Sequence, residues 1–233
     1  MTDGSAQQVE VLQANVNHCA RAQDLLVQHV AEWSIGAAVV VEPYCVPPLP
    51  TWVGDADGLV AITSPRTGDR PPLSRIDSGP GYAAARWGEF VIVAAYFSPN
   101  RPLRAFEDFL ERVGEVIGRA APAPVLLMGD LNAKHSAWGS PVDDPRGEAL
   151  YDWAVGAGLE VLNRGNVDTC VRRNGASIVD ISLASPVIAA RVVDWRVLED
   201  VETLSDHRYI RMGVSNRPQR PVQGLRGRAR RFP

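Results

Sequence analysis

The sequence predicts an α/β (α+β) fold, a four-layer sandwich in which two mixed β-sheets pack face to face and are flanked by helices. Short apolar runs with the length of buried strands recur along the 233-residue chain, whereas only three or four segments have helical periodicity. A doubly wound parallel sheet alternates its strands with helices, so this imbalance favours two packed sheets. A hydrophobic content of 45% is sufficient for one large core.

The period of the apolar residues predicts each element in turn. Residues 65–77 lack such a period and predict a loop. Tight hairpins are predicted at Trp87-Gly88 and at Arg173-Asn174-Gly175, since Asn-Gly between two strands is a strong hairpin signal. Apolar residues three and four apart predict helices over 20–33, 101–119 and 146–157. Strands are predicted at 9–13, 35–41, 58–62, 82–86, 89–95, 125–128, 169–172, 178–184, 192–197 and 209–214.

Charge is distributed unevenly along the chain. The formal net charge is −3, yet residues 216–233 contain six arginines and no acid, so residues 1–215 hold 18 basic and 27 acidic side chains. We therefore predict one folded domain over 1–215 and a basic flexible tail or linker over 216–233. The odd number of cysteines favours a reducing compartment. No leader or long apolar run predicts secretion or membrane insertion.

Two polar residues follow the apolar run 125–129. Asp130 lies at the C-terminal end of this predicted strand, where a carboxylate can act as a general base toward a water molecule. Asn132 would face the same side if the chain stays extended, and it offers a neutral donor to a phosphoryl oxygen. Aspartate and asparagine also cap turns and helices in such positions, so spacing alone leaves both roles open.

Other polar residues lie at the ends of other predicted strands. Glu42 comes directly after an apolar run and is either a plain strand terminus or a metal ligand at a sheet edge. Asn15 and Asn17 alternate just after the first strand, face one way and would join Glu42 if the two strands are neighbours. Tyr96 ends a further run, where an aromatic residue more often belongs to the rim of the core than to a catalytic site.

Histidine and aspartate combine near the C-terminus. His207 lies beside Asp206 at the entrance of the last predicted strand, and Asp180 interrupts an otherwise apolar strand. A lone histidine is usually structural. An unpaired buried carboxylate is costly, however, so we expect Asp180 to pair with His207 and to keep the imidazole oriented and protonated.

These residues belong to an ordered series of motifs: Gln13-Ala14-Asn15-Val16-Asn17, Glu42, Tyr96 within Tyr-Phe-Ser-Pro-Asn, Gly129-Asp130-Leu131-Asn132, Ser177-Ile178-Val179-Asp180 and Ser205-Asp206-His207. The series resembles the endonuclease/exonuclease/phosphatase superfamily, which includes exonuclease III, the apurinic/apyrimidinic endonucleases and DNase I. The stretch from Gly129 to Gly139 is similar, more closely, to the endonuclease domain of non-LTR retrotransposons, in particular the clade that inserts into large-subunit ribosomal RNA genes. The resemblance covers about residues 8–214 and implies a DNase-I-like fold for an endonuclease domain.

The resemblance implies roles at the metal and at the attacking water. Glu42 would hold Mg²⁺, for which Mn²⁺ can substitute, with Asn17 and Asn15 in or beside the metal shell. Asp130 would position or deprotonate the water, and Asn132 would orient it. Asn17 stands where the repair enzymes have aspartate.

The resemblance also implies roles at the phosphate. His207, held by Asp180, would stabilise the charge that develops on the phosphoryl group, with Asp206 beside it. Tyr96 would contact the scissile phosphate. Asn100 follows Tyr96 by one residue more than the family spacing, so no role is assigned to it.

The predicted hairpin over 169–177 is the best candidate for target recognition. Arg172, Arg173 and Asn174 would lie at its tip, shortly before Asp180 and therefore beside the catalytic cleft. A protruding hairpin can read a DNA groove or the deformability of the duplex. Arginines at such a tip also serve simply to keep an edge strand soluble.

The implied function is a nick in double-stranded DNA that leaves a 3′-hydroxyl to prime reverse transcription. The target would be the large-subunit ribosomal RNA gene, the location nuclear, and the partner a reverse transcriptase domain of the same polyprotein, with no membrane involved. Two alternatives stay open. The first is a phosphatase of the same fold that acts on small phosphoesters. The second is a catalytically idle DNA-binding module, against which the complete set of acid, amide and histidine argues.

Overall fold

The computed structural model of the protein describes residues 8–65, 70–216 and 218. Its strands are β1 (Gln8–Asn15), β2 (Ala37–Val41), β3 (Trp52–Gly54), β4 (Val60–Thr63), β5 (Leu73–Gly79), β6 (Tyr82–Trp87), β7 (Phe90–Tyr96), β8 (Val125–Asp130), β9 (Glu160–Val161), β10 (Cys170–Arg172), β11 (Gly175–Ser177), β12 (Asp180–Ala184), β13 (Val192–Val197) and β14 (Ile210–Ser215). Its helices are α1 (Ala20–Glu32), α2 (Leu103–Ala120), α3 (Pro145–Gly156) and the short α4 (Pro186–Ala189), with a 3-10 turn at Ser136–Trp138.

Twelve of these strands form two six-stranded sheets. Sheet A has the order β13-β14-β1-β2-β4-β3, and sheet B has the order β5-β6-β7-β8-β12-β9. Each sheet is mixed, because β1 and β2 are parallel within sheet A and β7 and β8 are parallel within sheet B, while the other neighbours are antiparallel. The predicted pair of mixed sheets is confirmed.

The layers follow from the alternation of side chains along each strand. On β1, Val11 faces the apolar interior between the sheets, and Leu12 faces the outer core that α1 covers. On β8, Leu126 packs between the sheets, and Leu127 packs outward with residues of α2 and α3. Helix, sheet, sheet and helix therefore form four layers, as expected.

Two parts of the predicted secondary structure are wrong. The predicted loop over 65–77 includes the start of β5, which pairs with β6 at the edge of sheet B. Its residues are exposed or half-buried and show no strand-like alternation. In the predicted hairpin, the turn consists of Arg173 and Asn174, and Gly175 pairs with Arg172. The partner strand is therefore β11, while the predicted strand over 178–184 becomes β12 inside sheet B.

The remaining predictions concern the chain ends, the thiols and the membrane. The predicted tail over 216–233 lies outside the described residues except for Asn216 and Pro218. Cys19, Cys45 and Cys170 are free thiols. Within the described ranges, no helix combines the length and the apolar character that crossing a membrane would require.

Candidate active site

Polar residues from both sheets meet at one edge of the sandwich. On sheet B, Tyr96 at the end of β7 pairs in register with Asp130 at the end of β8, and Asp130 pairs with Asp180 at the start of β12. On sheet A, Asn15 ends β1 beside β2, and Glu42 follows β2 directly. The structure therefore brings together residues that are far apart in the sequence.

Glu42 has a left-handed backbone conformation, with a φ of 47°. Backbone hydrogen bonds hold it there, since its N–H donates to Leu59 (2.8 Å) and its carbonyl accepts from the N–H of His18 (2.7 Å). The strand thus ends in a turn that directs the Glu42 side chain across the sheet edge. The Asn15 amide group donates to Glu42 Oε2 at 3.0 Å and to Asp130 Oδ2 at 3.1 Å. Asn15 therefore bridges the two carboxylates and the two sheets.

Asp130 is fully buried at the end of β8. Burial raises its pKa above the usual range, the charge of Asp180 adds to that rise, and the charge of His207 opposes both. Gly129 precedes it because a Cβ at this position would lie 1.7 Å from the Ala95 carbonyl oxygen. The glycine therefore permits close pairing of β7 and β8, rather than the approach of a ligand.

The chain does not stay extended after Asp130. Asn132 has a φ of 47°, and its N–H donates to Asp130 Oδ1 at 3.0 Å. Its side-chain amide donates to the Phe97 carbonyl at 3.2 Å. The expectation that Asn132 faces the same way through an extended chain is therefore wrong, although it does lie beside Asp130.

His207 is buried between two carboxylates. Its Nδ1 lies 2.8 Å from Asp180 Oδ2, and its Nε2 lies 3.8 Å from Asp130 Oδ2. Burial by itself disfavours the charged ring, but the charge and hydrogen bond of Asp180 outweigh it and raise the pKa of His207 to about 12. At neutral pH the ring is therefore a cation whose Nδ1–H is held by Asp180.

The backbone around His207 is held by hydroxyl groups. Thr203 Oγ1 donates to the His207 carbonyl at 2.7 Å, and the His207 N–H donates to Ser205 Oγ at 3.2 Å. Across the site, Thr169 Oγ1 accepts from the N–H groups of Val179 and Asp180, each at 3.2 Å. Sequence reasoning missed both threonines, because a buried hydroxyl near a motif carries no pattern of its own.

Asp206 lies beside this centre and binds two other predicted residues. It accepts from the Asn17 amide at 3.1 Å and from Arg172 Nε at 2.5 Å. Burial would raise its pKa, but the hydrogen bond and charge of Arg172 hold that pKa below the usual range. Asn17 is thus directed to Asp206, while its N–H donates to the Asn15 amide oxygen at 2.9 Å.

Tyr96 lies half-buried at the mouth of the site. Burial raises its pKa, and a hydrogen bond to Glu42 together with the charges of Glu42 and Asp130 raises it further. The phenol is therefore neutral at physiological pH and acts as a hydrogen-bond donor.

The hairpin of β10 and β11 adjoins the same centre. Cys170 forms a β-bridge with His207, and the Val171 N–H donates to the Asp206 carbonyl at 2.7 Å. Arg173 and Asn174 are exposed in the turn. Arg172 was expected at the tip with them, but its guanidinium instead pairs with Asp206.

Among the residues that the structure describes, two groups of side chains have the composition of metal sites. The Asp130, Asp180 and His207 group is occupied by an internal ion pair, and a protonated imidazole is no ligand. In the second group, His135 Nδ1 accepts from the Ala137 N–H at 3.0 Å, and Asp143 accepts from the Ser136 N–H at 2.5 Å. These two side chains cap the 3-10 turn.

Glu42 offers a better position for a cation. Its carboxylate lies close to the Asp130 carboxylate through Asn15 and close to the Tyr96 hydroxyl, and its ion pair with exposed His18 is long, at 3.7 Å. Hard divalent cations bind one or two carboxylates and complete their shell with water. The donor set at Glu42 fits such a cation.

Comparison with known families places this site in context. The profile of the endonuclease–reverse transcriptase family matches residues 90–211, which span Tyr96, Asp130, Asp180 and His207. The chain belongs to the endonuclease–reverse transcriptase family. Within this family the matched region supplies the sheet B half of the site together with the histidine. No curated protein matches the chain significantly.

Solved structures extend the comparison to the whole sandwich. The endonuclease domain of TRAS1, a telomere-specific non-LTR retrotransposon, is 28% identical with a TM-score of 0.75, over 89% of this chain and 98% of that one. The 3′-5′ exonuclease NExo from Neisseria meningitidis is 17% identical with a TM-score of 0.67, over 88% and 98% of the two chains. An AP endonuclease from Archaeoglobus fulgidus is 16% identical with a TM-score of 0.67 and the same coverage. The last two show the DNase-I-like fold alone.

Proposed function

We propose that this endonuclease–reverse transcriptase family member nicks double-stranded DNA at a retrotransposon insertion site and leaves a 3′-hydroxyl that primes reverse transcription. The observation that carries the proposal is one edge that combines the Glu42 and Asp130 carboxylates with protonated His207. Hydrolysis of a phosphodiester needs a base for water, positive charge for the phosphoryl oxygens and a site for a cation.

Each residue then has a defined task. Asp130 accepts a proton from water in its ionised form, which the charge of His207 and the N–H of Asn132 favour. His207 donates an N–H to the charge that develops on the phosphoryl group, while Asp180 fixes the ring. Glu42, with Asn15 beside it, would hold Mg²⁺ or Mn²⁺, which supplies Lewis-acid stabilisation when bound. Tyr96 donates its hydroxyl to the phosphate.

The first test is incubation of the purified chain with supercoiled plasmid and Mg²⁺. We expect conversion to the nicked circle, a 3′-hydroxyl that a polymerase extends directly, and loss of cleavage when a chelator is added. Release of inorganic phosphate from small phosphoesters with an intact plasmid would instead identify the phosphatase alternative. Binding of the plasmid without either reaction would identify an idle DNA-binding module.

The target class is a finer part of the proposal. The Gly129–Gly139 stretch favours the large-subunit ribosomal RNA gene, and the telomere-specific TRAS1 domain, at 28% identity, favours a telomeric repeat as the second candidate. Mapping the nick on plasmids that carry either sequence distinguishes them. Either target implies a nuclear location and a reverse transcriptase domain as the functional partner.

The exposed turn of the β10–β11 hairpin gives a prediction about target choice. Replacing Arg173 and Asn174 together with alanine should broaden the nick pattern and weaken binding, because these two exposed side chains can reach a groove beside the cleft. The rate at an enforced nick position should persist, since neither residue touches the catalytic centre. Nick mapping and the salt dependence of binding measure the effect.

Two further variants complete this test. Arg104→Ala removes an exposed arginine from α2, in the outer layer, and should leave both pattern and affinity unchanged. Arg172→Ala should lower the rate at every site, because Arg172 pairs with Asp206 beside His207. An unchanged nick pattern in the Arg173 and Asn174 double variant would place recognition elsewhere.

A further inference from the structure

A chain of buried hydrogen bonds crosses the sandwich directly beneath the site. Trp195 Nε1 donates to Ser182 Oγ at 3.2 Å, Ser182 Oγ donates to Gln13 Oε1 at 3.2 Å, and Gln13 Nε2 donates to the Gly129 carbonyl at 3.1 Å. Gln13 and Ser182 are 1% and 0% exposed, so water does not compete for these bonds. Gln13 and Trp195 belong to sheet A, and Ser182 and Gly129 belong to sheet B.

The surroundings of this chain are almost entirely apolar. The interior between the sheets consists of side chains such as Val11, Val39, Leu126, Met128 and Ile210. Apolar contacts are favourable but have little directional preference, so they allow small shifts of one sheet against the other. Hydrogen bonds depend strongly on distance and angle, so they favour one position of the first sheet relative to the second.

Three of the four bonded residues lie within two positions of a site residue. Gln13 lies two residues before Asn15 on the same inward face of β1, and Gly129 directly precedes Asp130. Ser182 lies two residues after Asp180 on the same face of β12. The catalytic centre joins Asn15 and Glu42 of sheet A to Asp130 and Asp180 of sheet B, so the bonds of Gln13 set the alignment of its two halves.

We propose that Gln13 is a positioning residue, which through Gly129 and Ser182 holds the metal-binding half of the site in register with its acid–base half. The proposal rests on the proposed nuclease function for its kinetic consequence. It also assigns a role to the buried glutamine at the start of the Gln13-Ala14-Asn15 motif.

The test compares two buried bonds between the sheets. Gln13→Met keeps the length and volume of the side chain but removes both of its hydrogen bonds. Ser64→Ala also removes two hydrogen bonds, one from Ser64 Oγ to the Gly36 carbonyl at 2.8 Å and one from Trp87 Nε1 to Ser64 Oγ at 2.9 Å. The bond from Trp87 joins the sheets at the edge opposite the site. That edge is remote because Thr63, beside Ser64, pairs with Ala38 at the start of β2, whereas Glu42 follows its end.

We expect Gln13→Met to lower kcat for nicking by roughly 10- to 100-fold with a KM for DNA within about twofold of wild type, because the reacting groups are misplaced while the binding surface is intact. Ser64→Ala should lower the thermal unfolding midpoint comparably and leave kcat and KM within about twofold. If Gln13→Met does not fold, Ser182→Ala is measured by the same criterion.

A second readout does not need the nuclease reaction. The NMR signal of the His207 Nδ1–H reports its hydrogen bond to Asp180, so it should shift in Gln13→Met and stay in place in Ser64→Ala. Folded Gln13 and Ser182 variants with wild-type kcat would overturn the proposal. If the wild-type chain nicks no DNA, the proposed function fails, and an unmoved His207 signal in Gln13→Met would then overturn the positioning role separately.

Discussion

Replacing His207 with alanine should lower the single-turnover nicking rate by roughly 10²- to 10⁴-fold, the largest effect that we expect from any one side chain. The ring is a buried cation between Asp130 and Asp180 and is assigned to the charge that develops on the phosphate. Its loss leaves two buried carboxylates without a countercharge, so the free energy of unfolding should also fall, by about 3–5 kcal/mol. DNA binding should persist.

The loss of rate must be separated from the loss of stability. Asp180→Asn keeps His207 but removes the charge that holds it. It should lower the nicking rate by orders of magnitude, as His207→Ala does. His29→Ala is the matched control, since His29 is partly buried on α1, stacks on Trp33 and lies outside the site. It should cost stability without changing the rate. A His207→Ala rate within about twofold of wild type would make this histidine structural.

Replacing Glu42 with glutamine should give the second largest effect, a shift of at least roughly tenfold in the Mg²⁺ concentration needed for half-maximal nicking. Glutamine keeps an oxygen that can accept from the Asn15 amide, so the shape of the site persists while the charge that attracts the cation is lost. Unfolding should change little, because the pairing with exposed His18 is long and partly solvated. Titration of the nicking rate with Mg²⁺ and with Mn²⁺ measures the shift.

Glu10→Gln is the matched control for the metal response. Glu10 also lies on sheet A and pairs with Arg211 at 2.7 Å, on the outward face of β1. It should leave the Mg²⁺ dependence unaltered. A wild-type Mg²⁺ titration of Glu42→Gln would remove Glu42 from the metal site and direct attention to Asp130.

Much of the fold could be predicted because burial leaves a period in the sequence. Helix α2 was predicted from apolar residues three and four apart, and those residues, including Phe106, Phe109 and Val113, form its buried face. β5 could not be predicted, because an edge strand without buried residues needs no apolar alternation. The hairpin was predicted from Asn-Gly, but strand pairing made its turn one residue shorter, because Gly175 pairs with Arg172.

The candidate site was predictable in its residue types but only partly in its contacts. Asp180 stood out as a carboxylate in an apolar strand, and burial does force it to pair with His207. Asn17 was expected beside Glu42 because it alternates with Asn15, but a left-handed backbone at Asn17 ends that alternation and directs its amide to Asp206. No sequence pattern marks such a change of backbone direction.

The sequence by itself identified the polar residues that stand at the ends of predicted strands. Such residues are informative because burial of an unpaired charge is too costly to occur by accident. The sequence also determined the alternation that puts Gln13 and Asn15 on the inward face of β1. Only the tertiary structure decided which ends meet. The packing of the two sheets brings Asn15 within hydrogen-bond distance of Asp130, 115 positions away. Sheet packing and strand register depend on contacts between distant segments, and the local sequence of one segment does not specify its partner.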